Sequence, residues 1–159
     1  GFKSGELHFA LMEGYFDKKD FDSLTYATVP FIPVCSVKHF FAQKPRMLKD
    51  LTNERLLLRE PGSGTRDVLE KQLAVMGMEV ENFASIIEIG GMHAILQMLE
   101  EDAGISFLYK AAAETLIQKG ILQEISLQDF EVKHDFAFIW EKGSSYKEMY
   151  EKVFFELMK

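Results

Sequence analysis

Ser63 and Thr65, held between glycines in Pro61-Gly-Ser-Gly-Thr-Arg66, are the residues whose types and spacing most readily do chemistry. Their hydroxyls donate and accept, and the glycines at 62 and 64 allow backbone conformations and close approaches that a side chain blocks. The loop leaves the apolar run Leu56-Leu57-Leu58 and opens at once into "TRDVLEKQLAVM", so it joins a strand to a helix. A hydroxyl residue there caps the helix, and the unpaired amides of the first turn make a site for a carboxylate, sulfate or phosphate. The spacing is not that of a Walker A loop. "EIGGMH" at 88–93 repeats the device of strand, two glycines and helix, with Gly91 at the junction. Such junctions also serve as plain helix caps, and the loop alone does not decide between the two.

Other reactive residue types form no second constellation. His8, His39, His93 and His134 are scattered without metal-ligand spacing, so no metal site is expected. There is no nucleophile elbow, no HExxH and no recognisable Ser/His/acid grouping, which ranks an enzyme below a binding function and leaves no cofactor to expect. Cys35, the only cysteine, lies in the apolar stretch "IPVCSV" and reads as a buried, inert thiol. With no second cysteine there is no intrachain disulfide, which suits a reducing cytoplasm. A net charge of −7 and a pI near 5.1 argue against a basic face that grips nucleic acid. No apolar stretch approaches the roughly 18 residues of a membrane span, and "GFKSGELHF" lacks the pattern of a secretory signal. A soluble, cytoplasmic chain with no membrane partner is the expectation.

The elements that must position the loop follow from periodicity. Strands are expected at 6–14, 21–36, 55–59, 85–90, 104–109 and 132–143. Pro30 and Pro33 mark the second as an edge strand or a bent one. Val68, Leu69, Leu73 and Met76 recur at helical spacing up to Gly77; Met92, Ile95, Leu96 and Leu99 form one face of a second helix, and 110–120 a third. Strands alternating with helices through 55–120 imply right-handed crossovers and a parallel sheet covered by helices. In such sheets ligands bind at the carboxyl ends of the strands, where "PGSGTR" lies. The pattern then changes: the long strand puts Val132, His134, Phe136, Phe138 and Trp140 on one face, and 144–159 is an amphipathic helix.

The motifs "SGELHFALMEG", "LLLREPGSGTRDVLEKQL", "IIEIGGMHAILQMLEEDAGISFLYKAAA" and "QKGILQEISL", in that order, resemble the effector-binding domain of LysR-type transcriptional regulators over nearly the whole chain. The resemblance implies an α/β fold of two lobes, like type 2 periplasmic binding proteins, joined by crossing strands, with a small-molecule effector between the lobes. It assigns 1–28 and 133–159 to a partial first lobe and 29–132 to the second, with the strands at 21–36 and 132–142 as the crossings. The family's DNA-binding winged helix-turn-helix, its linker helix and the opening elements of the first lobe are not in this chain. His8 stands where the family usually has Asp.

The resemblance also implies site residues. Met12, Glu13 and Gly14 are the first-lobe contribution, and Ser63, Gly64 and Thr65 the second-lobe one. Glu13, if it faces the cleft, favours an amine or zwitterion; if it faces solvent it is neutral to the choice. Arg66 either meets a ligand carboxylate or pairs with Glu70 one turn on, and Gly91 either admits a ligand close to the backbone or only makes a tight turn. The implied function is a sensor that binds a small polar or anionic metabolite and thereby controls DNA binding and transcription. Its implied partners are another copy, as dimer or tetramer, and DNA through the absent N-terminal domain. The alternative is a solute-binding receptor of a transport system with the same fold.

Overall fold

The computed structural model describes residues 15–16, 22–141, 145, 147–148, 151–152 and 155–156. The three consecutive leucines at 56–58 leave no polar face, so a strand built from them needs cover on both sides. That is what β3, Arg55–Arg59, obtains: Leu56, Leu57 and Leu58 are all buried. β4 (Ser85–Ile89) runs parallel beside it, in register from Arg55↔Ser85 to Arg59↔Ile89. On the other side β5 (Ser106–Tyr109) joins through the parallel bridge Leu56↔Ile105, where Leu57 N donates to Ile105 O at 2.8 Å and Ile105 N to Arg55 O at 2.9 Å. β5 then lies antiparallel to β2 (Asp22–Ser36), Phe31↔Tyr109 to Val34↔Ser106, and β2 lies antiparallel to β6 (Leu122–Glu124). The order β4-β3-β5-β2-β6 makes one sheet whose 55–109 part is parallel, as the alternation of elements predicts, and whose other edge is antiparallel.

Three helices cover it, and period-two alternation along the strands assigns them to faces. Leu56, Leu58, Phe31, Cys35 and Phe107 share a core cluster with Leu69 and Leu73 of α1 (Gly64–Val75). Leu57, Ile32, Val34 and Leu108 point the other way and pack with Ile95 and Leu99 of α2 (Met92–Glu100) and Ala112 and Ala113 of α3 (Lys110–Gln118). Cys35 is 0% exposed, and burial pushes its thiol up to about 11 against a weaker hydrogen bond from Gln123, so it is inert as the sequence implies.

β2 is not an edge strand. Its first part pairs with β1 (Tyr15–Phe16) on one side and with β7 (Val132–Glu141) on the other, in antiparallel register from Asp22↔Glu141 to Phe31↔Val132. Its last part pairs with β5 and β6. Each edge therefore changes partner midway, and the prolines sit where it does. Pro33 O accepts from Ile125 N at 2.8 Å, so the amide that Pro33 lacks would face the same side, between the end of the β7 ladder at Phe31 and the start of the β6 ladder at Val34. Pro30, three residues earlier, has its missing amide on the opposite edge, between β1 at Tyr26 and β5 at Phe31. Pro33 thus keeps its carbonyl bond and lacks only the amide one, and among the described residues no strand is bonded to Pro30 on the β1–β5 edge, which is how a 15-residue strand tolerates two prolines at its centre. The expected strand at 6–14 lies outside the described residues. Of the expected helix at 144–159, residues 147–148, 151–152 and 155–156 are helical, Ser145 is not, and the rest lies outside the described residues.

At the end of the sheet where β3 and β5 begin, His39 links three loops. Its Nδ1 lies 2.6 Å from Asp102 Oδ1 and its Nε2 2.6 Å from Glu54 Oε1. Two carboxylates on two ring nitrogens call for an imidazolium that donates to both. Burial opposes the charge, but the two hydrogen bonds and the two negative charges outweigh it and raise the histidine above its usual 6.5. Asp102 holds its place with a left-handed backbone, φ 60°.

Two predictions follow from these contacts. A Cβ on Gly104 would lie 2.5 Å from the backbone oxygen of Arg55. Gly104→Ala must therefore push β5 from β3, and equilibrium urea unfolding should show a loss of about 1–3 kcal/mol; unchanged stability would mean that the two strands separate freely. For His39, the folded value is raised, so its stabilisation is complete below 6.5 and is lost as pH rises through the folded value. The stability difference between wild type and His39→Asn should be constant below pH 6 and shrink on going alkaline. A difference that grows with pH would show that the histidine is neutral in the folded protein.

Candidate functional site

β3 delivers the chain to Glu60, and a turn closed by Ser63 N donating to Glu60 O at 3.2 Å reverses it into α1. Gly62 occupies φ +91° in that turn, a conformation that a side chain strains. Ser63 is the N-cap: its backbone is extended, its Oγ accepts from Arg66 N at 3.4 Å, and its carbonyl accepts from Asp67 N at 3.1 Å. The Ser63 and Thr65 side chains are nevertheless buried, at 6% and 4% exposure. The first turn of the helix and these hydroxyls border a cleft of about 1010 Å³, with Arg59, Gly62, Gly64, Lys71 and Gln72 also at its margin. Tyr109, His134, Phe136 and Glu156 also border it.

Arg59 is 7% exposed and donates from Nε to Glu60 Oε1 at 2.7 Å. That bond, helped by Glu60's own amide, holds the Glu60 carboxyl at about 2, and Gly91 N adds a long 3.5 Å contact to the same oxygen. Glu60 therefore remains a carboxylate and ties the two glycine-bearing turns together. Gly91 itself, with φ +99°, serves the turn and does not border the cleft.

Of the expected site residues, the structure brings Ser63, Gly64 and Thr65 to the cleft. Arg66 is turned away from it. Its Nε donates to Glu70 at 2.5 Å and its Nη1 to Glu88 at 2.9 Å and to Arg59 O at 3.1 Å, so the one-turn pairing is what forms. Met12, Glu13 and Gly14 lie outside the described residues.

Sequence reasoning missed Lys71 and Gln72, which follow Gly64 and Thr65 by seven residues and so share their helix face; that spacing was available. It also missed a pair that no local pattern announces. Tyr109 Oη and His134 Nδ1 are 2.9 Å apart, although they come from β5 and β7. Those strands flank β2: Tyr109 is opposite Phe31 on one edge and His134 opposite Val29 on the other. Phe31 and Phe136 meet the Tyr109 ring edge-on, each at 5.3 Å between centroids. Burial raises the Tyr109 phenol above its usual value, so it stays protonated.

Comparison with known proteins shows a family model that spans almost the whole chain, together with relatives of more than one name. The LysR substrate binding domain family matches residues 1–157. The transcriptional regulator CbbR of Xanthobacter flavus is 32% identical over 105 residues, 65% of this chain and 31% of that protein. An 80-residue stretch, half of this chain, is 32% identical to 16% of a phosphonate-import ATP-binding protein of Anaeromyxobacter dehalogenans. The chain spans between 16% and 40% of the length of the curated relatives it matches. Among solved structures, the regulatory domain of CcmR from Synechocystis PCC6803 in complex with 2-PG superposes with a TM-score of 0.59 at 18% identity, over 98% of this chain and 78% of that one. The effector-binding domain of QuiR in complex with shikimate gives 0.54 at 14% identity, over 99% and 78%. These neighbours share the two-lobe, periplasmic-binding-protein-like fold. By its sequence match from end to end and by its fold, the chain belongs to the LysR substrate-binding domain family.

Proposed function

We propose that this chain is the effector-sensing part of a LysR-type transcription factor. A small polar or anionic metabolite binds between two lobes and, by its different affinity for their arrangements, biases how attached DNA-binding domains are placed. The observation that carries the reading is the cleft at the start of α1, where the buried hydroxyls of Ser63 and Thr65 stand beside first-turn amides. An anionic group fits such a place because the helix end supplies N–H donors and partial positive charge. Residues 29–132 are the second lobe, 1–28 and 133–159 belong to the first, and β2 and β7 cross between them. Met12, Glu13 and Gly14 supply the facing wall.

The regulators among the relatives favour a sensor over a transport receptor of the same fold, and over an enzyme. The complexes of CcmR with 2-PG and of QuiR with shikimate favour a small molecule as ligand. DNA is met through a part of the protein beyond this chain, since a net charge of −7 offers no basic face. The working form is a homo-oligomer, dimer or tetramer, in the cytoplasm. Among the described residues no helix is long and apolar enough to cross a membrane.

Calorimetry on the full-length protein, with 2-PG and shikimate as first probes, tests the site. Thr65→Val keeps the shape and removes a hydroxyl; losing one hydrogen bond to a charged group should cost roughly 1.5–3 kcal/mol, or about ten- to a hundredfold in affinity. Glu13→Gln should weaken a ligand that carries an ammonium group and spare a pure anion. If Ser63→Ala and Thr65→Val both bind with wild-type affinity, the loop is only a helix cap. Sedimentation equilibrium at micromolar protein should show an assembly larger than one chain, and monomer alone would remove the oligomer from the reading.

A further inference from the structure

The cleft has a second polar feature, carried by strands other than the one that leads into α1, that helix capping does not explain. Tyr109 and His134 come from strands on opposite edges of β2 and share a hydrogen bond of 2.9 Å at the cleft margin. Tyr109 is 8% exposed and half-buried His134 sits beside it, with Phe136 also bordering the space.

The chemistry of this pair is fixed by counting donors and acceptors. When Tyr109 donates to Nδ1, the imidazole carries its proton on Nε2, which is then a donor, while the phenol oxygen keeps a lone pair as acceptor. When Nδ1–H donates instead, the phenol O–H is the donor left over and Nε2 is the acceptor. Either way the pair has one further donor and one further acceptor, and they exchange places together. A carboxylate or phosphate oxygen accepts only and an ammonium donates only, so each satisfies half of the pair. A hydroxyl both donates and accepts, and it matches the pair in either state. The rings of Tyr109 and Phe136 beside it suit a carbon skeleton rather than a second charge.

We infer that Tyr109 and His134 read a hydroxyl on the ligand, so that the cleft selects hydroxylated acids over their deoxy counterparts. The inference rests on the cleft being a metabolite site. It adds a requirement beyond the anionic group: a molecule anchored at Ser63 and Thr65 is discriminated by whether its carbon skeleton also bears a hydroxyl. A site built to hydrogen-bond a hydroxyl rejects the analogue without it, because its own buried polar groups are then left unpaired.

The test compares hydroxy acids with their deoxy partners on full-length protein by calorimetry: malate with succinate, and shikimate and quinate with cyclohexanecarboxylate. In at least one pair the hydroxy acid should bind about tenfold or more tightly. Tyr109→Phe, which keeps the ring, should weaken the preferred hydroxy acid about tenfold while the deoxy acid stays within about twofold. His134→Leu should give the same selective loss, whereas damage to the fold would weaken both members of a pair alike. Equal affinities within every pair, with Thr65→Val still weakening binding, would overturn the hydroxyl reading and leave the metabolite site standing. No binding by any of these acids would overturn both.

Discussion

The structure depends on the backbone hydrogen-bonding of one strand. β2 is 15 residues long and has neighbours on both sides, so its amides and carbonyls need partners along two edges. No single neighbour is long enough to supply an edge. β1 and β5 share one side, β7 and β6 the other, and the two handovers are offset by about three residues. From this follows the place of the cleft. β5 ends and β7 begins beside Phe31, so Tyr109 and His134 arrive near each other across β2. β3, held to β5 through Ile105, delivers Ser63 and Thr65 to the same space.

The two ends of the sheet are held by different means. At the amino ends of β3 and β5, an imidazolium with two carboxylates joins three loops, and its ring meets Phe41 edge-on at 4.7 Å. At the carboxyl end, the ionic contacts stay within the turn region itself: Arg59 with Glu60, and Arg66 with Glu70 and Glu88. Both arginines are thereby held by protein carboxylates, so in the proposed site an anion would meet hydroxyls and amides rather than these guanidinium groups. Oriented dipoles of this kind recognise an anion without a strong long-range field.

Much of the β/α part from 55 to 120 was legible because its signals are local. Leu56-Leu57-Leu58 bounded by arginines gave a strand of the observed limits, and Leu69 and Leu73 ahead of Gly77 gave a helix of the observed face. The cap at Ser63 was readable from its glycines and hydroxyls, and the Arg66–Glu70 pair from four-residue spacing. What could not be read is contact between residues far apart in the chain. His39 finds one partner 15 residues away and the other 63 away, and Tyr109 finds His134 at 25. Each depends on strand order, which hydrophobic periodicity does not contain. The prolines were read as a sign of an edge strand or a bent one; the edge alternative fails, because β2 is an interior strand that changes partners around them.

Those prolines also limit the registers that β2 can take. A strand keeps its side chains on their proper faces only if it slips by an even number of residues. A slip of two along the β6–β7 side would carry Pro33 either to where Phe31 meets Val132 or to where Cys35 meets Gln123. In both places the neighbouring strand offers a carbonyl that proline has no N–H to satisfy. A slip of two in either direction would thus leave a carbonyl of the neighbouring strand unpaired, so the prolines favour the observed register of β2 over its nearest face-preserving alternatives.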